Sequence, residues 1–131
     1  MATHRHGLVY GVAALRAAAR GDHMMWALHR AALSNGIVPV VPAPVVAEGF
    51  RTEVRGDYLR ALLAGSEVEV LEEDGAERLG ELAARAGTGD LVSASVADCA
   101  ARRNAAVVAG RQHSLRTSSE LLGYELVLYA V

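Results

Sequence analysis

Lysine is missing from this sequence: all 13 basic residues are arginine. Together with abundant alanine and glycine, that bias points to GC-rich coding and a bacterial source. Cysteine is nearly missing as well. Cys99 stands alone, so neither an intrachain disulfide framework nor a CxxC metal site can form. No apolar run approaches the ~20 residues of a membrane span, so no membrane association is expected. The opening MATHRH lacks the apolar stretch of a secretory signal, and the expected location is cytoplasmic. Excess charge of either sign is also absent. A formal net charge of −2 excludes both a polybasic coat for nucleic acid and an acidic tail.

What is present is globular composition, 52% hydrophobic and 21% charged, in a length that suits one domain with a full core. Residues 1–131 are read as that single domain, with 1–6 as a flexible tail. Short apolar, partly β-branched segments occur at Leu8–Tyr10, Ile37–Val41, Val68–Leu71, Ala105–Ala109 and Leu126–Ala130. Longer stretches of helical period separate them, and that alternation predicts an α/β fold: a central parallel sheet of about five strands with helices on both faces.

Several helix ends are legible. Asp22 is a candidate N-cap for a helix over 22–34 whose Met25, Trp26, Leu28, Ala32 and Leu33 point to a core, and Asn35-Gly36 supplies the turn after it. Pro44 suits the first turn of a helix running through Glu48. In 72–86, Ala76, Leu79, Leu82, Ala83 and Ala86 form one stripe that stops at Gly87, and Glu72-Glu73-Asp74 favour the N-terminal end. A further helix covers 90–103, with Arg102-Arg103 well placed at its C-terminal end. The apolar helices at 24–33 and 59–63 exceed what one small core is expected to bury, which predicts a homodimer.

In open α/β sheets, ligands bind outside the carboxyl ends of the strands, near the switch in strand order. That directs attention to Gly11–Ala13, Gly110–His113, Glu48 and Asp90. Over roughly residues 7 to 130 these places, in this order, resemble the PIN-domain ribonucleases, particularly the VapC-type toxins of bacterial toxin–antitoxin pairs. The resemblance is carried by ALRAAARGD (14–22), VPAPVVAEGF (41–50), RAGTGDLVSASVADCAARR (85–103) and AAVVAG (105–110). It implies a PIN-like, Rossmann-like sandwich and a phosphodiesterase chemistry in which about four carboxylates hold Mg²⁺ or Mn²⁺ against the scissile phosphate.

Carried over position by position, that quartet is mostly lost. The first acid of the family falls on Gly11, in YGVAAL, and its neighbouring threonine on Val12. The second matches Glu48. The third falls on Ser93, and the fourth on Arg111, with the accompanying threonine replaced by Ala109. The resemblance therefore implies a degenerate site and a protein that binds without cleaving: itself, an antitoxin-like partner or RNA. No cofactor is then expected. The rival is an active Mg²⁺- or Mn²⁺-dependent endoribonuclease holding its metal on Glu48 and Asp90. A third reading is an unrelated doubly wound domain whose Gly11 never had an acidic counterpart.

The remaining candidates have plainer roles. Asp90 suits a helix cap, Ser93 a hydrogen bond back to its own helix, and Arg111 a pairing with Glu48 or Asp90 across the old pocket. His4 and His6 sit in a terminus where histidines are ordinarily solvated; His23, His29 and His113 show no catalytic spacing. Gly87-Thr88-Gly89-Asp90 leads into a helix but lacks the GK[ST] ending of a P-loop. Trp26, with Met24 and Met25, is read as core or interface packing.

Overall fold

The computed structural model describes residues 7–53 and 56–131. Five parallel strands form one sheet: β1 (Leu8–Tyr10), β2 (Val40–Pro42), β3 (Glu67–Glu69), β4 (Ala106–Ala109) and β5 (Leu128–Ala130), in the order β3-β2-β1-β4-β5. Central register pairs Val9 with Val40 on one side and Val107 on the other. The described residues also form seven helices: α1 (Val12–Ala19), α2 (His23–Ser34), α3 (Ala43–Thr52), α4 (Asp57–Ala64), α5 (Glu73–Ala86), α6 (Leu91–Arg103) and α7 (His113–Leu121). The chain moves outward from β1 to β3, then returns past β1 to β4 and β5. Right-handed crossovers consequently place α1, α2 and α4 on one face and α5–α7 on the other, while α3 packs against both α1 and α6.

The strands show why the alternation was legible. β2 and β4 are buried at every position and β1 nearly so, which requires continuous apolar runs. Edge strand β3 instead reads Glu-Val-Glu, with both acids on the side of α6. Strand edges lie within a few residues of expectation.

Caps set the helix boundaries. Asp22 accepts a hydrogen bond from Met25 N at 2.9 Å, and Asp90 accepts one from Ser93 N at 2.9 Å. Pro42 ends β2 and precedes α3 directly, with Pro44 in the first turn. Gly87, at φ +69°, terminates α5 in the left-handed conformation that glycine adopts without strain.

One continuous core joins Tyr10, Leu15, Met25, Val41, Val45, Leu59, Leu62 and Leu115. Both helices expected to overflow a small core thus bury their main apolar residues internally. What they leave exposed is Met24 and Leu33 on α2 and Tyr58 on α4. On α5 the buried stripe is Leu79, Leu82 and Ala83, and the expected Ala76 faces solvent. Trp26 lies at the margin of the core, its indole N–H donating to Ala18 O at 3.0 Å. None of the helices among the described residues is long and apolar enough to cross a membrane.

Candidate functional site

The switch in strand order falls between β1 and β4, where both strands end. Gly11 leaves β1 still tied to the sheet, its N–H donating to Val108 O at 2.8 Å. Its φ of −93° and ψ of −178° are extended backbone open to any residue, so conformational freedom does not explain the glycine. Close approach does. A Cβ at position 11 would lie 2.8 Å from Ala109 Cβ, an atom fixed to the β4 backbone. The crevice beyond is nearly filled. About 10 Å³ remains among Val12, Ala13, Val92, Val96 and Leu115, with Ser93 and Gln112 at its polar margin. That is room for about one water.

Ser93 is buried beside this nook, but its hydroxyl does not return to the helix backbone as expected. It donates to Asp90 Oδ2 at 2.8 Å, and the Gln112 side-chain amide lies 3.0 Å away on its other side. A hydroxyl has one proton to donate, so Asp90 Oδ2 and Gln112 Oε1 compete for it, and the nearer, charged carboxylate is the stronger acceptor. Asp90 is the N-cap of α6 as expected, and it binds Ser93 through both the backbone and the side chain.

Glu48 reaches the same end of the sheet from α3. A Cβ at Gly49 would meet Leu15 Cδ2 at 2.8 Å, so the glycine lets α3 lie closely on α1 and brings Glu48 towards Arg16. Arg51, one turn along α3, donates from Nε to Oε1 at 2.9 Å and to Oε2 at 3.0 Å, and Arg16 approaches Oε2 at 3.4 Å. These hydrogen bonds from Arg51, with the charges of Arg51 and Arg16, hold the Glu48 carboxyl below its usual range, against burial and the nearby charge of Asp90. The cation partnering Glu48 is therefore not Arg111. That side chain is exposed in a groove beside α2 and β5 and forms no ion pair with either acid among the described residues.

Gly11 and Ser93 thus share one nook, Glu48 and Asp90 lie close enough to feel each other's charge, and Arg111 turns aside. The chemistry available is limited. Ser93 is buried and hydrogen-bonded, and both Glu48 oxygens face guanidinium groups. Among the described residues no three His, Cys, Asp or Glu side chains converge in a metal-binding group. The quartet's chemistry does not fit these residues. His4 and His6 lie outside the described residues.

A second polar cluster was missed in the sequence. Asp98, almost fully buried on α6, accepts from Arg78 at 3.1 and 3.2 Å and from Arg102 Nε at 2.9 Å. Arg102 also pairs with Glu69, while Arg103 bonds Glu69 at 2.8 Å and Glu67 at 2.7 Å. The chain of ion pairs ties α5, α6 and edge strand β3 along a cleft of about 280 Å³. Arg102 and Arg103, read from sequence as helix-dipole partners, mainly clasp β3. The signals were there: Asp98 and Arg102 at i, i+4, and two acids at i, i+2 on a strand. Cys99, beneath this cluster, has its thiol pushed up to about 12 by burial and the charge of Glu69, which makes it unreactive.

No protein-family model matches the chain, and no curated protein is significantly similar to it in sequence.

Proposed function

We propose that this chain is a degenerate PIN-type domain, akin to the VapC toxins, that acts by binding protein or RNA and does not cleave. The reading rests chiefly on the closed corner at Gly11. The position that would carry the first metal-binding acid has no space for a side chain, because Ala109 Cβ occupies it. Elsewhere at this corner, two carboxylates, Glu48 and Asp90, stand against two guanidiniums, Arg16 and Arg51, leaving it near neutral. Mg²⁺ and Mn²⁺ need several free oxygen ligands, and Glu48 is already engaged. A homodimer, an antitoxin-like partner and a cytoplasmic setting belong to the same reading.

One observation favours the rival. The charge of Asp90 acts on Glu48, against the lowering by Arg51 and Arg16, so two carboxylates face the same end of the sheet. An active Mg²⁺-dependent endoribonuclease would have to use that pair. Calorimetric titration with Mg²⁺ and Mn²⁺, with RNA cleavage assayed in parallel, separates the two readings. The expected result is no saturable metal binding at millimolar concentration and no cleavage above that of Glu48→Ala. Strong Mg²⁺-dependent cleavage by the wild type, abolished in Glu48→Ala, would overturn the proposal and establish the nuclease.

A further inference from the structure

Among the described residues the sheet ends at β5, which pairs only with β4. Val127 O accepts from Val107 N, and Val131 N donates to Ala109 O. Alternation along the strand therefore turns the N–H and C=O groups of Leu128 and Ala130 outward. Natural sheet edges are ordinarily guarded by charge, proline or a bulge. The opposite edge, β3, carries Glu67 and Glu69, whereas residues 126–131 read LVLYAV, with neither charge nor proline. Beside this edge runs a groove of about 520 Å³ between α2 and β5, walled by Met24, Leu28, Leu128, Tyr129 and Val131. Met24 is 73% exposed and Tyr129 51%, a high exposure for large apolar side chains. Arg111 has the one charged side chain among the residues lining the groove, and it forms no ion pair among the described residues.

We infer that this edge and groove receive an extended strand of a different protein, apolar where it enters the groove and carrying one carboxylate that pairs with Arg111. Strand addition of this kind takes affinity from main-chain hydrogen bonds and specificity from side-chain pockets, here an apolar channel with a cation at one end. A second copy fits less well, because its own 126–131 has no acidic side chain to offer and Glu125, just before, already has interactions of its own. The N-terminal MATHRH contains no acid either. The inference takes from the proposed function only that the molecule acts by binding, and a homodimer through another face is compatible with it.

The test is an NMR titration of the full ¹⁵N-labelled chain with an acetylated peptide of alternating threonine and valine ending in aspartate amide. A twin peptide ending in asparagine amide serves as the comparison. Saturable shifts of the Leu128 and Ala130 amides are expected. The asparagine peptide should bind about five-fold more weakly, the scale of a partly exposed ion pair. Arg111→Gln should bind both peptides alike. Absence of saturable shifts, or equal affinity of the wild type for the two peptides, would overturn the inference. So would self-association of the chain that shifts those same amides, since the groove would then belong to a second copy. Mg²⁺-dependent cleavage would overturn the non-catalytic reading and leave this surface unaffected.

Discussion

At position 11 a missing carboxylate and a missing methyl group are different facts, and only the second explains the glycine. Read as a sequence, YGVAAL shows an absent acid, but nothing in it announces that Ala109, almost a hundred residues later, stands 2.8 Å from where a Cβ would be. A contact between residues so far apart in the chain leaves no local periodicity to read. Because the opposing atom is a Cβ, it can move only if β4 moves. Gly11→Ala should therefore destabilise the fold by about 1–3 kcal/mol, the usual cost of overpacking a filled core. Ala109→Gly in the same chain should recover most of that loss, and urea denaturation of the two single variants and the double variant would measure the coupling. Additive losses, or a neutral Gly11→Ala, would show that the corner has more space than its geometry indicates.

Among the elements, what was legible followed burial on both faces. β1, β2 and β4 are enclosed by helices, so their apolar runs appear in the sequence almost unbroken. Helix α7 left no comparable signal. In HSLRTSSEL the buried residues are Leu115 and two serines, Ser118 and Ser119, and small polar residues packed inside do not register as an apolar stripe. The link from α6 to α5 and β3 was only partly legible: Asp98 and Arg102 on one helix and two acids on one strand gave local signals, but their pairing joins three separate elements. Asp98 is its hub, serving Arg78 and Arg102 together. Asp98→Asn keeps the shape and removes the charge, leaving two guanidiniums short of a partner. The expected loss is about 2 kcal/mol, below the 3–5 typical of a broken buried pair because both arginines reach solvent. The measurement is the thermal midpoint at low and high salt. No loss even at low salt, where charge pairing is least screened, would mean that Asp98 contributes packing alone.

For the molecule as a whole, the order of elements was enough to locate the candidate site at the carboxyl ends of β1 and β4, but the fate of each side chain there depended on neighbours from other elements. The pH dependence of stability is similarly divided between regions far apart in the chain. His29 is buried, accepts or shares the Tyr10 hydroxyl proton at 2.8 Å through Nδ1, and is held below its ordinary 6.5 by burial and by the charge of Arg30. Above about 6.5 it is neutral whether the chain is folded or not. As pH falls below that value the unfolded chain takes up a proton that the folded chain resists, so stability drops until the folded-state pKa is passed. Glu48 and Glu69 act in a lower window. Burial draws Glu69 upward, but hydrogen bonds and charge from Arg102 and Arg103 outweigh it, and Glu48 is lowered by Arg51. Their folded-state values lie below the ordinary 4.5, so the stability they contribute is complete above 4.5 and fades as pH falls through those lower values. Urea midpoints measured from pH 8 to pH 3 should consequently fall in two stages, the first beginning near 6.5 and the second below 4.5. His29→Gln retains a side-chain oxygen to accept the Tyr10 proton but does not titrate, so it should abolish the first stage and preserve the second. A first stage that survives in His29→Gln would show that acid destabilisation begins at another group.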